Sequence, residues 1–316
     1  MRTRSIGSLT VSVVGLGCNN FGRRLDLDET KSVVDAALGA GVTFLDTADV
    51  YGGTDSEAFL GRVLAGRRDE VVLATKFGAP SPDNELSGAR PETVRAALEA
   101  SLRRLRVDHV DLYQLHFPDP DVPIADTLGA LGDAVDAGLV LEIGCSNMSA
   151  AQLEEAEAAA AKHGTPRFVS VQNEYSLLRR EAEAEVLPAC EGLDVAFLPY
   201  FPLLSGILTG KYRKGRPLPE GTRIRGNDRW ESLLTDELLD VVERLTEVAA
   251  SHGRELIDLA FAYLLARPQV ASVIAGATKP EQVRRNVQAG AWELSAEELA
   301  EVRAILHEAG EVAQRG

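Results

Sequence analysis

The feature that most restricts this chain is a repeated alternation of short apolar runs with longer amphipathic stretches. Eight runs have the length and composition of strands: Val13–Gly15, Thr43–Leu45, Val71–Thr75, Val110–Leu115, Leu141–Gly144, Phe168–Gln172, Val195–Tyr200 and Val270–Ala275. Nearly every run is followed by a segment of helical periodicity. These helices are expected at Asp28–Leu38, Ser56–Leu64, Pro91–Leu105, Ile124–Asp136, Ala150–Lys162, Glu181–Cys190 and Pro280–Val287. Ser56 suits an N-cap, and Pro91 suits the first turn of its helix. Strands that alternate with helices pair in parallel, because each helix returns the chain to the same end of the sheet. Eight such units within 316 residues close into a (β/α)8 TIM barrel.

Thr3–Ile6 and Leu9–Val11, turning at Gly7-Ser8, add an N-terminal β-hairpin. Asp236–Ser251, Leu256–Ala266 and Ala296–Glu308 supply extra helices towards the C-terminus. A doubly wound open sheet is the rival architecture. Against it, Gly15-Leu16-Gly17 is only a fragment of a dinucleotide-binding GxGxxG, and Gly22 does not complete it. Composition shows no break, so residues 1–316 read as a single domain, interrupted only by a Gly/Pro/Arg-rich loop from Phe201 to Trp230.

A formal charge of −15 repels nucleic acid and anionic membrane alike, and neither is expected as a partner. No run approaches the roughly twenty apolar residues of a membrane span. Leu9–Leu16, which follows Arg2 and Arg4, is too short and too broken by polar residues for a secretion signal. Cys18, Cys145 and Cys190 lie far apart, without ligand spacing. Sparse, odd cysteines suit a reducing compartment, and the cytoplasm is the expected location.

In a barrel the C-terminal ends of all strands meet at one face, where active sites lie. The polar residues there are Asp46, Tyr51, Lys76 and His116, then Ser146-Asn147, Gln172, Tyr200 and Gly276–Lys279. The first four come from three adjacent strands and can converge. Together they suit proton delivery to a carbonyl oxygen. The Tyr51 phenol would give the proton, the Lys76 ammonium would lower its pKa, Asp46 would hold the ammonium, and His116 would orient the substrate. A cation about 4 Å from a phenolate contributes roughly 4 kcal/mol at an effective dielectric of about 20. A third of that would lower the phenol's pKa by about one unit.

Asp46-Thr47-Ala48-Asp49-Val50-Tyr51-Gly52-Gly53 with Ser56-Glu57, Ala74-Thr75-Lys76, Leu112–His116, Gly144–Asn147 and Gly276–Asn286 together resemble the aldo-keto reductase signatures. The likeness covers essentially the whole chain and is similar to the branch holding bacterial reductases and voltage-gated potassium channel beta subunits. It implies hydride transfer between a nicotinamide cofactor and a small carbonyl or alcohol substrate, without a metal. Asp46, Tyr51, Lys76 and His116 match the family tetrad, with Tyr51 as general acid.

The same resemblance implies a cofactor wall. Ser146 and Asn147, helped by Gln172, would bond the nicotinamide amide, with Tyr200 or Phe201 against the ring. Pro202, Leu203, Ser205, Gly206 and Leu208 match the pyrophosphate cradle, and Lys211 a phosphate-contacting lysine. Thr278, Gln282, Arg285 and Asn286 match the adenosine end, while Gly17, Cys18 and Gly276 join the cofactor set. Relatives often carry an acidic residue at the position of Arg285. A cation there, with Lys279, Arg223 and Arg225 as helpers, favours a 2′-phosphate and so NADPH/NADP+ over NADH. Asn19, Asn20, Tyr51, His116 and Phe117 would face the substrate. Cys18-Asn19-Asn20-Phe21 replaces a Thr/Trp pair of many relatives, making the wall more polar, and Trp230 would either restore an aromatic face or anchor its loop.

Two other readings use the same barrel. One is a cofactor-sensing regulatory subunit with little turnover. The other is a Schiff-base aldolase built on Lys76, which an ion pair with Asp46 would oppose by keeping the amine protonated.

Overall fold

The computed structural model describes residues 1–80, 86–220, 222 and 224–310. The chain opens with β1 (Thr3–Ile6) and β2 (Leu9–Ser12), an antiparallel hairpin pairing Thr3 with Ser12 and Ile6 with Leu9. Then follow β3 (Val14–Gly17), α1 (Leu27–Gly39), β4 (Phe44–Asp46), α2 (Asp55–Val63), β5 (Val72–Phe77), α3 (Pro91–Leu105) and β6 (Val110–Leu115). The alternation continues through α4 (Ile124–Asp136), β7 (Val140–Ser146), α5 (Ala150–His163), β8 (Ser170–Glu174), α6 (Val186–Leu193) and β9 (Ala196–Tyr200). After a long connection come α7 (Asp228–Glu231), α8 (Asp236–Ser251), α9 (Leu256–Leu265), β10 (Val273–Gly276), α10 (Pro280–Ala289) and α11 (Ala296–Glu308).

Eight parallel strands lie in the order β10-β3-β4-β5-β6-β7-β8-β9. The seam between β9 and the approach to β10 is bridged low down. There the Phe197 N–H donates to Gln269 O at 2.7 Å, and the Ala271 N–H donates to Phe197 O at 3.0 Å. The strands and their surrounding helices thus form the (β/α)8 barrel that the sequence predicts.

Side chains alternate across a strand, and this parity decides what fills the barrel. Phe44, Ala74, Leu112 and Leu198 share one apolar cluster with Ile6, Leu9 and Val11 of the hairpin. Their odd neighbours Leu45, Leu73, Tyr113 and Phe197 belong instead to the larger core between strands and helices. The hairpin therefore stoppers the N-terminal end of the barrel. Arg4 pins it there, donating to the carbonyls of Leu265 at 2.7 Å, Arg267 at 2.9 Å and Val270 at 2.5 Å. Two residues above the apolar layer, the same parity turns Asp46, Lys76, Gln114 and Tyr200 inward.

Several boundaries differ from the sequence reading for local reasons. β5 runs on to Phe77, so Lys76 belongs to the strand itself. The helix expected from Glu181 begins only at Val186, after a 3-10 turn at Glu181–Glu183. Pro188 explains this: it lacks an N–H and is tolerated only in a first turn, so no helix can run through it from Glu181. Ser56 is not an N-cap. Asp55 already starts the helix, and the Ser56 hydroxyl donates to Cys18 O at 3.0 Å and lies 2.8 Å from Thr47 Oγ1. Among the described residues of the Phe201–Trp230 connection, Leu204, Ile207, Leu208, Tyr212, Ile224 and Trp230 are buried. None of the described helices is long and apolar enough to cross a membrane.

Gly15 in β3 is glycine because Phe44 occupies the space beside it. A Cβ there would stand 2.8 Å from the Phe44 ring and 2.9 Å from Ser272 Oγ. Gly15→Val is expected to destabilise the fold by about 1–3 kcal/mol through overpacking. Denaturant unfolding checks this, and an unchanged midpoint would contradict the packing described.

Candidate active site

The C-terminal mouth of the barrel opens into a cavity of about 1530 Å³. Just beneath its floor the Lys76 ammonium donates to Asp46 Oδ2 at 2.6 Å and to Thr47 O at 3.0 Å. Both side chains are buried, so neither charge is balanced by water. The other Asp46 oxygen accepts from Gln114 Nε2 at 3.1 Å and Gln172 Nε2 at 2.9 Å. The carboxylate is thereby bonded on both oxygens, as a buried charge requires.

Tyr51 enters from the turn after β4. Gly52 and Gly53 adopt left-handed backbone there, with φ of 62° and 65°. At Gly52 a Cβ would strike Phe21 O at 2.4 Å, so this turn admits only glycine. The Lys76 ammonium lies 5.1 Å from the centre of the Tyr51 ring. Burial raises the phenol's pKa, the nearby ammonium lowers it, and burial prevails. The lowering expected from the sequence is present but outweighed, so Tyr51 is a neutral phenol. For Lys76, burial pulls the pKa down, while the Asp46 carboxylate and Tyr51 more than restore it. The amine stays protonated.

His116 lies edge-on to Tyr51, with ring centres 6.0 Å apart, and stacks on Phe117 at 5.1 Å. Burial, then the Lys76 charge, pushes its pKa down to about 3. Its imidazole is neutral at physiological pH, and its Nδ1 has no partner among the described residues. A neutral ring can hydrogen-bond a carbonyl oxygen without repelling the ammonium.

Asp46, Tyr51 and His116 line the cavity together with Asn19, Asn20 and Phe117, whereas Lys76 lies beneath the floor. Gly17, Ser146, Asn147, Gln172, Tyr200 and Gly276 also line it. Ser146 Oγ donates to Gln172 O at 2.6 Å. Asn147, held at φ +58°, donates to His116 O at 2.9 Å and accepts from Tyr200 OH at 2.7 Å. Gln172, expected to reach a nicotinamide, places its amide N–H on Asp46.

Further round the wall come Phe201, Pro202, Leu203, Ser205, Gly206 and Lys211. Phe201, Leu204, Ser205 and Gly206 all have positive φ, a concave backbone suited to an anion. The Ser205 hydroxyl is buried without a partner among the described residues. A Cβ on Gly206 would stand 2.9 Å from the Lys211 ammonium, so the glycine lets that cation lie against the cradle. Thr278, Gln282, Arg285 and Asn286 complete the lining. The Cys18 and Leu208 side chains do not reach it, because both are fully buried in the core. Trp230 does not line it either and packs edge-on to Phe201 at 5.7 Å. Arg223 lies outside the described residues.

Three polar residues that the sequence reading quoted only within motifs, without a role, are part of the buried network. Gln114 is legible afterwards from parity, since it shares the inward face of β6 with Leu112. Glu57 is buried behind β5, accepting from Thr75 Oγ1 at 2.5 Å and Arg104 Nε at 2.7 Å. Asp49 is buried with one oxygen unpartnered among the described residues. Burial, then the Glu57 charge, raises its pKa to about 7.

The aldo/keto reductase family profile matches residues 13–307. The chain belongs to the aldo/keto reductase family. As a member of that family it is an oxidoreductase on a (β/α)8 barrel. Escherichia coli (strain K12) Protein tas is 33% identical, covering 94% of this chain and 95% of that protein. Bacillus subtilis (strain 168) Aldo-keto reductase YhdN is 34% identical over 94% of this chain and 91% of its own length. An Arabidopsis thaliana protein named "Probable voltage-gated potassium channel subunit beta" is 34% identical over 92% and 91%.

Asp49 gives this family member a testable pH signature. Its folded pKa, about 7, lies above the ordinary carboxylate value, so the folded state holds the proton more tightly. Its contribution is complete at low pH and is lost as pH rises through about 7. Asp49→Asn should flatten this fall. Unfolding midpoints of the two proteins between about pH 4 and 8 should therefore diverge as pH rises, with the variant the steadier. Parallel curves would contradict the assignment.

Proposed function

We propose that the chain is an NADP(H)-dependent reductase of aldehydes or ketones, and in reverse an oxidoreductase of the matching alcohols. The observation that carries this reading is the neutral Tyr51 phenol beside the buried Lys76–Asp46 pair on the floor of the cavity. Bound there, the nicotinamide supplies the hydride. As negative charge develops on the carbonyl oxygen, Tyr51 gives it the phenolic proton. The Lys76 ammonium stabilises the phenolate left behind, and Asp46 keeps that ammonium in place. Neutral His116 donates a hydrogen bond that fixes the carbonyl oxygen. In the alcohol-oxidising direction the same groups return the proton to Tyr51.

The chain's own residues suit the cofactor. Ser146 and Asn147 offer amide-bonding groups in the lining of the same cavity as Tyr51. The left-handed run at Leu204–Gly206, the unpartnered Ser205 hydroxyl and Lys211 suit a pyrophosphate. Thr278, Gln282, Arg285 and Asn286 would hold the adenosine end, and the Arg285 guanidinium is the basis for preferring a 2′-phosphate. Three buried free thiols support a cytoplasmic setting. The partner is a small carbonyl or alcohol, which Asn19, Asn20 and Phe117 would meet at the mouth.

The likeness to a channel beta subunit keeps a regulatory role as the second reading, and steady turnover of small aldehydes separates the two. Tyr51→Phe should lower turnover by at least ~10²-fold while coenzyme affinity stays nearly unchanged. Surviving turnover would remove Tyr51 as the acid. Borohydride trapping of a carbonyl substrate on Lys76 would instead indicate Schiff-base chemistry.

A further inference from the structure

Arg285, the cation assigned to the adenosine end, is already engaged by this chain's own carboxylates. Its Nη1 donates to Asp258 Oδ1 at 2.6 Å. Its Nε and Nη2 both donate to Glu255 Oε2, at 3.1 and 2.9 Å. The Nε–Nη2 edge is a two-donor edge of the kind that grips phosphate oxygens in parallel hydrogen bonds. The two carboxylates differ in freedom. Asp258 is largely buried and also accepts the Glu255 N–H at 2.9 Å, which fixes it at the start of α9. The Glu255 side chain is 75% exposed and borders both the large cavity and a smaller one of about 470 Å³ on its other side. Glu255 has room to swing away, and Asp258 does not.

We propose that Glu255 is a coenzyme-selectivity residue that competes with the 2′-phosphate for the open edge of Arg285. The inference rests on the coenzyme reading given above. A 2′-phosphate must displace the Glu255 carboxylate and then tolerate its negative charge nearby. A coenzyme lacking that phosphate meets no such cost, because a carboxylate can accept a hydrogen bond from a ribose hydroxyl. Glu255 therefore narrows the preference for NADP+ that Arg285 alone would create. An exposed ion pair is weak, so the effect comes from competition for the edge and like-charge repulsion rather than from breaking a strong bridge.

Isothermal titration calorimetry of NADP+ and NAD+ into the wild type and Glu255→Gln tests this without any turnover. Glutamine keeps the length of the side chain at an exposed position but removes its charge. NADP+ should bind the variant at least about fivefold more tightly, and NAD+ should bind equally or more weakly. An unchanged ratio of the two affinities, or an equal loss for both coenzymes, would overturn the assignment. Failure of both coenzymes to bind the wild type would overturn the coenzyme reading itself, and this inference with it.

Discussion

The buried ion pair between Lys76 and Asp46 is the interaction on which the site depends. Two opposite charges sit on adjacent strands at the base of the cavity, 2.6 Å apart and almost wholly out of water. Such a pair persists only when every remaining lone pair and proton is satisfied. Gln114, Gln172, the Thr47 carbonyl and the Tyr51 hydroxyl meet that demand. Each comes from the inward face or the rim of the barrel, so closure of the barrel and neutralisation of the pair are one requirement. Tyr51 and His116 then take their protonation states from this floor. The ammonium opposes the effect of burial on the phenol and adds to it on the imidazole. Burial thus keeps the phenol protonated against the ammonium and, together with the ammonium, keeps the imidazole neutral, leaving a neutral donor beside a neutral orienting ring.

The barrel was legible because its cause is periodic. Apolar runs with intervening helices recur from Val13 to Ala275, and parallel pairing follows from the connections alone. The tetrad was legible because strand ends converge, so Asp46, Lys76 and His116 could be placed together before any contact was known. Side-chain networks were less legible, since they depend on parity and on distant chain segments. Gln114 and Gln172 are far apart in sequence yet meet on one Asp46 oxygen. Local propensity also misled at Ser56, whose hydroxyl is used by Cys18 O and Thr47 instead of capping a helix. At Glu181 the periodicity was helical, but Pro188 had already set the earliest start.

Electrostatics at the far end of the cavity are the least legible from sequence. Arg285 reads there as a simple cation, because nothing in its neighbourhood along the chain announces Glu255 or Asp258 some thirty residues earlier. The start of α9 delivers both carboxylates to the face of α10. The two ends of the cavity therefore follow opposite designs. At the floor, one cation and one anion are locked by burial; at the rim, one cation is shared by a fixed anion and a movable one.

The most direct test of the central claim is a double-mutant cycle on unfolding free energy with Asp46→Asn, Lys76→Met and the double variant. Each single change strands a buried charge and should cost about 3–5 kcal/mol, whereas the double variant should recover much of that loss. A double variant whose destabilisation equals the sum of the two single ones would show that the charges are not coupled, and would contradict the account.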